Sequence, residues 1–500
     1  MPHAIADIVA EARLAGRALI EFGQHLLNPT VRLGVTGLSR SGKTVFITAL
    51  VHGLMQGGRF PVFEPLATGR IARARLAPQP DDAVPRFDYE GNLRALLEER
   101  RWPESTDRIS ELRLLVDYQS RRGVARTLTI DIVDYPGEWL LDLPLLGKSY
   151  QQWSAESLEL SAHGPRAQIA APWRDYLATL DPLGPEDEQA ALRAAALFTR
   201  YLKACRDERY AMSLLPPGRF LMPGDLAGSP ALTFSPLHWP HQESQQASEH
   251  ASQPNPSPAG SLAAMMRRRF EAYKDVVVRP FFQDHFARLD RQIILVDALS
   301  AFNAGPDAVR DLEGALAAVL ECFRMGRRTW TSALFRPRVD RILFAATKAD
   351  HLHHASHERL EAILSRMVER AAERASAAGA PVDVVALSAV RATREAKVRR
   401  GRDDLPCIIG VPAAGEVAGG EVFDGATEAA MFPGDLPADP NQVFGPLPTF
   451  RGLTTAAAQD ADFRFLRLRP PQLEQLDGVA MLPHIRLDRA LQFLIGDRMP

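Results

Sequence analysis

Residues 31–49, VRLGVTGLSRSGKTVFITA, decide how this chain is read. A short apolar run from Val31 to Thr36 enters Gly37-Leu-Ser-Arg-Ser-Gly42-Lys43-Thr44, a full match to the phosphate-binding P-loop, and a helical pattern follows. Strand, glycine loop and helix in that order aim backbone N–H groups at an anion, where the helix N-terminus already favours negative charge. Gly37 and Gly42 give backbone freedom where a Cβ would crowd phosphate, and Ser39, Arg40 and Ser41 complete the cradle. Lys43 is expected to reach the β- and γ-phosphates, serving an anion and no core, and the Thr44 hydroxyl to coordinate Mg²⁺.

Lysine usage sharpens the reading. Only six of the 59 basic residues are Lys, yet Lys43 and Lys348 stand inside the two best motifs, where a compact ammonium is not replaced by a planar fork. At 500 residues, 46% apolar and 24% charged, the chain has the composition of an ordinary globular protein of more than one domain. A net charge of −2 supplies no global basic field, so nucleic acid is not an expected partner. Cys205, Cys322 and Cys407 are far apart and form no metal-type pair, which points to a reducing compartment. No apolar run approaches a membrane span, and Asp7 and Glu11 argue against a signal peptide, so a cytoplasmic protein is expected.

Upstream of the loop, residues 1–30 read as an N-terminal helix ended by Asn28-Pro29 and packed on the nucleotide domain. Downstream, residues 59–107 show no clean period and lie where nucleotide switches put their first mobile loop. Thr68 or Thr106 could give the hydroxyl that contacts Mg²⁺ there; Thr106 is preferred because it precedes the next strand, while a turn or cap role is the alternative. Two strands, 109–118 and 126–133, flank a hairpin turn at 120–123. The second ends in Asp134-Tyr-Pro-Gly137-Glu138. An acid at that strand end can hold a Mg²⁺-bound water, and the glycine three residues on can offer its N–H to a γ-phosphate. The first part of the core thus spans 31–139.

Residues 140–290 read as a mainly helical insertion, with helices at 172–180 and 186–205, a polar flexible loop near 241–260, and a helix from Leu262 that breaks at Pro280. The run Arg267-Arg-Arg269 reads as a solvated helix face. The core resumes over 291–397 with strands at 292–296, 338–346 and 382–387 and helices at 306–325 and to about 378. Strand 338–346 ends in Thr347-Lys348-Ala349-Asp350. A carboxylate there can accept both guanine N1–H and N2–H while the lysine stem covers the ring, and a site built on that donor pair rejects adenine. Ser388-Ala389, after the last strand, can offer backbone N–H groups to the guanine carbonyl oxygen. His353 and His357 share helical spacing that can bind metal, but no carboxylate or cysteine completes a site and they read as a solvated helix start. Residues 398–484 form an irregular, partly β insertion, and 485–500 a closing helix.

The ordered set GLSRSGKT, DYPGEW, TKAD and LSA resembles the Ras-like GTPase signature, and the fuller wording is similar to the YcjX-like family of bacterial P-loop proteins. The resemblance implies an α/β, Ras-like P-loop domain with a mostly parallel sheet, GTP or GDP as bound nucleotide, and Mg²⁺. It also implies a link to envelope stress and an inner-membrane protein as partner, with the chain peripheral to that membrane. One departure stands out. Where Ras-like enzymes carry a water-orienting glutamine, this chain has Glu138, whose charge near an anionic γ-phosphate implies slow hydrolysis. Ser39 also replaces a glycine often found there, and Arg40 is either a built-in cation or a solvent-facing side chain. Three readings follow: a regulatory GTPase with slow turnover, a nucleotide-binding scaffold without hydrolysis, and an ATP-using P-loop enzyme, against which TKAD argues.

Overall fold

The computed structural model describes residues 29–38, 40–104, 108–238, 258–322, 339–377, 379–400, 403–418, 420–445, 465–473, 475–476 and 479–500. The expected N-terminal helix, Ser39, Thr106 and most of the loop 241–260 lie outside these residues.

A seven-stranded sheet organises the chain, in the order β2-β3-β4-β1-β5-β6-β7. Its strands are β1 Thr30–Gly37, β2 Ile71–Ala77, β3 Ser110–Gln119, β4 Ala125–Asp134, β5 Arg291–Val296, β6 Arg341–Ala346 and β7 Val382–Ala386. The strands β4, β1, β5, β6 and β7 run parallel, while β3 is antiparallel to β4 and β2 to β3. The five parallel strands therefore deliver their carboxyl ends to one edge, where ligands of open α/β sheets bind.

Period-two alternation builds a core on each face. On one side Val31, Leu33 and Val35 of β1, Ile130 and Ile132 of β4 and Ile293 and Leu295 of β5 pack with α1, Lys43–Gln56, and the closing helix, Leu487–Ile495. On the other, Ile294, Val296 and Phe344 join Leu312, Leu316 and Leu360 from the helices Pro306–Cys322 and His357–Ala377. Buried Arg291 ties the closing helix to β5, donating to the Leu494 carbonyl at 2.9 Å and to Asp497 at 2.8 Å.

The chain between β4 and β5 is helical: Tyr150–Leu160, Gly164–Ala178, Glu188–Arg206, Leu262–Tyr273 and Arg279–Asp284. Its aromatic residues Trp153, Trp173, Phe198, Phe234 and Phe270 are continuous with the core on the second face of the sheet. Pro280 does not end the helix: Leu262–Tyr273 runs on through a π-helical turn, Lys274–Val278, into Arg279–Asp284, and this irregular turn stands just before the proline, which has no N–H to donate. The interval 59–107 also holds more than a loop, with edge strand β2 and the helix Tyr89–Leu97, capped by Asp88 on the Gly91 N–H. The arginines of β2 hide its period: Arg73 and Arg75 both reach Asp117 on β3, at 3.1 and 2.7 Å. Beyond β7, β8 Arg394–Arg400 and β9 Asp403–Gly410 form a small antiparallel sheet with Ala429–Met431.

Candidate functional site

β1 stops at Gly37, and α1 begins at Lys43 after a turn in which Gly42 adopts φ 78°, the left-handed conformation a side chain resists. Because β1 and β4 are parallel neighbours with Val35 opposite Asp134, the P-loop and the DYPG segment emerge side by side. Asp134 is fully buried, and the Lys43 ammonium bears directly on its Oδ1. Lys43 therefore has a structural partner that the motif alone does not reveal. The Thr44 hydroxyl donates to the Glu104 carbonyl at 3.1 Å, and the Ser110 hydroxyl to Asp134 Oδ2 at 3.4 Å. Thr44 and Asp134 are hard oxygen donors flanking one lysine, and the carboxylate already faces a cation; this donor set fits Mg²⁺. Thr68 instead caps a single helical turn, its hydroxyl donating to the Glu64 carbonyl at 2.7 Å.

Gly137 packs directly on the P-loop backbone: a Cβ there would meet the Gly37 carbonyl oxygen at 2.4 Å and the Leu38 nitrogen at 3.0 Å. Glu138 and Trp139 follow in a 3-10 segment, Gly137–Gly147, and both are buried. The helical segment grips this stretch from the opposite side. A Cβ on Gly218 would lie 2.1 Å from the Glu138 carbonyl oxygen, the Arg219 guanidinium stacks 3.2 Å above the Trp139 ring, and the Trp139 indole donates to the Met222 carbonyl at 3.3 Å. Asp142 accepts the Gly218 N–H and the Tyr273 hydroxyl, each at 2.6 Å, and burial pushes its carboxyl up to about 7.

At the other end of the sheet edge, β6 leads into Thr347, whose N–H donates to the Val296 carbonyl at 2.9 Å, and Lys348, held at φ 61°. The Lys348 ammonium lies 2.5 Å from Asp297 Oδ2, at the end of β5. Burial alone would raise the Asp297 carboxyl, but the Lys348 charge and the Ser300 hydrogen bonds outweigh it and hold the group below its ordinary range. Asp350 is 3% exposed, and its Oδ2 accepts the Ala392 N–H at 2.8 Å. Ser388 and Ile485 exchange backbone hydrogen bonds at 3.1 and 2.8 Å, which clamps the loop after β7 to the closing segment. The Ser388 N–H is thus committed within the protein, and of the two expected backbone donors Ala389 is the one this pairing leaves.

These elements line one cavity of about 890 Å³. Gly37, Arg40, Ser41, Gly42, Lys43 and Thr44 stand at one end, Thr347, Lys348, Asp350, Ser388 and Ala389 at the other, with Glu138 on the wall. Asp134 and Gly137 are outside its lining and adjoin it through Lys43 and Gly37. Sequence reading missed Asp297, Arg206 and Glu208, which also line it. Asp297 carried a signal, since it follows β5, the strand between the two that lead into the P-loop and TKAD; the other two come from the helical segment and carried none. Arg40 is half exposed and pairs with Glu208, which approaches Arg467 at 3.7 Å from the late, irregular part of the chain.

The histidine expectation needs correction. His357 turns inward to the Ala349 carbonyl at 2.8 Å, whereas Glu395 from β8 approaches His353 at 3.8 Å and His354 at 2.6 Å. The fold brings a carboxylate that no local spacing announced.

A mostly parallel sheet whose first βα turn is a P-loop, with further motif loops gathered at the same edge, defines a P-loop nucleotide-domain protein carrying insertions. The chain belongs to the YcjX-like family, DUF463, whose model matches residues 31–499. It is 38% identical to the Ras-like GTPase YcjX of Escherichia coli (strain K12), across 94% of this chain and 96% of that protein. It is 34% identical to the Ras-like GTPase YcjX of Shewanella oneidensis, across 95% and 97%.

Proposed function

We propose that this protein is a GTP-binding regulatory protein with slow intrinsic hydrolysis, whose triphosphate and diphosphate states present different arrangements to a partner. The observation that carries this reading is the gathering of the P-loop, Glu138, TKAD and the Ser388 turn around one cavity. Lys43 and the loop N–H groups hold the phosphates, Gly137 offers its N–H to the γ-phosphate, and Asp350 with Lys348 reads guanine. Thr44 and Asp134 would hold Mg²⁺, with Thr106 as the preferred second hydroxyl, and the ion would supply charge neutralisation at the phosphates. In turnover the water oxygen bonds to the γ-phosphorus as the bond to the β–γ bridging oxygen breaks. The electron pair leaves with GDP, one water proton stays on phosphate and the other goes to solvent.

The names of both relatives support the GTPase class. The family resemblance adds envelope stress and an inner-membrane partner, and no helix among the described residues is long and apolar enough to cross a membrane. Calorimetric titration with GTP, GDP and ATP tests the reading: GTP and GDP should bind at least roughly tenfold tighter than ATP. Equal ATP affinity refutes the base assignment. A scaffold that binds without hydrolysing is the second reading, favoured by the engagement of Glu138 with Arg206; GTP binding without turnover would select it.

A further inference from the structure

Glu138 poses an electrostatic problem. A buried carboxylate beside a triphosphate repels it strongly where water is excluded, yet Glu138 is 5% exposed on the cavity wall. The helical segment answers with a cation. Helix Glu188–Arg206 ends at Arg206, whose guanidinium Nη2 lies 3.2 Å from Glu138 Oε1. Arg206 lines the same cavity, three-quarters buried. The other arginines of the cavity are differently placed: Arg40 faces Glu208, Arg467 faces Glu416 at 2.6 Å, and Arg209 lies over the Tyr210 ring at 5.4 Å.

We propose that Arg206 is a positioning residue for Glu138: the helical insertion supplies the guanidinium that lets a carboxylate stand beside the triphosphate and orient the attacking water. The proposal rests on the GTP-hydrolysis reading above. The balance of the reaction is unchanged, since Arg206 donates no proton and forms no bond to phosphorus. Its consequence is control. Because Arg206 and Gly218 both belong to the insertion and both bear on Glu138, hydrolysis proceeds only while the insertion is seated on that segment.

Single-turnover GTP hydrolysis and the affinities for GDP and for a fluorescent, non-hydrolysable GTP analogue should be measured on the full chain, for the parent and for Arg206→Ala, Arg206→Lys, Glu138→Gln and Arg206→Ala/Glu138→Gln. Arg206→Ala should slow hydrolysis at least roughly tenfold and weaken the triphosphate analogue, which now meets an uncompensated carboxylate, while GDP affinity changes less than about threefold. Retained GDP affinity shows that the variant folds. Arg206→Lys should recover part of the rate, as should millimolar guanidinium added to Arg206→Ala, which a purely structural role would not permit. In the Glu138→Gln background the further loss from Arg206→Ala should be small, because the charge it balances is gone. The proposal fails if Arg206→Ala leaves the rate unchanged, if neither lysine nor guanidinium restores it, or if the loss is as large without the carboxylate. A parent that binds GTP and never turns it over overturns the functional reading instead, and this proposal with it.

Discussion

Gly137 lies against Gly37 so closely that a Cβ on the former would sit 2.4 Å from the carbonyl oxygen of the latter. Two motifs about a hundred residues apart thus share a backbone contact, and a displacement of the P-loop has no slack to absorb before it moves the segment carrying Glu138 and Trp139. Gly137→Ala should therefore force the loops apart, with an overpacking cost of about 1–3 kcal/mol. Its melting temperature without nucleotide should fall, and its discrimination between GDP and a GTP analogue should shrink. An alanine variant with parental stability would show that the contact yields easily.

Lys43→Ala should be destabilised even without nucleotide. The lysine faces a carboxylate that is fully buried, and removing one partner of a buried pair leaves the other charged group uncompensated, at a cost on the order of 1–3 kcal/mol. Denaturant titration checks this, and Asp134→Asn added to Lys43→Ala should recover much of the loss. Recovery distinguishes the ion pair from a packing defect.

Asp350→Asn should weaken GTP binding at least roughly tenfold and raise affinity for xanthosine triphosphate, because the amide reverses donor and acceptor toward the base. The amide oxygen can still take the Ala392 N–H, so the fold should hold. Equal loss of both nucleotides, with a lowered melting temperature, would assign Asp350 to structure alone.

The pairing of Asp297 with Lys348 should make the joint between the loop 347–350 and β5 acid-sensitive. The folded Asp297 carboxyl lies below its ordinary value, so the pair contributes stability that is fully present above that value and is lost as pH falls through the depressed folded one. Between about pH 5 and 3 the parent should lose more stability than Asp297→Asn, which has no such proton to take up. Parallel melting curves across that range check the difference, and identical pH slopes would rule out the joint.

Trp139 should report the nucleotide state. Held between the Arg219 guanidinium and Phe281, whose ring centroid lies 5.7 Å away edge-on, its environment changes if Gly137 moves. With fluorotryptophan incorporated, the resonance missing in Trp139→Phe should shift between GDP and a GTP analogue. An unmoved signal would mean the insertion holds this segment in one state.

The local pattern of the chain determined much of this molecule. GLSRSGKT after an apolar run dictates strand, loop and helix, and the apolar runs ending in Asp134 and Thr347 place DYPG and TKAD at strand ends, because a strand's period and a loop's glycines are properties of neighbouring residues. The ordinary motif residues of the site were accordingly legible. Edge strand β2 was not, since its arginines face Asp117 and mask the alternation. Nor were the charge partners in and around the site. That Lys43 meets Asp134, Lys348 meets Asp297, Arg206 meets Glu138 and Glu395 meets His354 depends on which strands become neighbours and how the helical segment seats on the sheet. Motif spacing encodes backbone shape; the partner of each buried charge is chosen by packing between distant segments, and only the tertiary structure decides it.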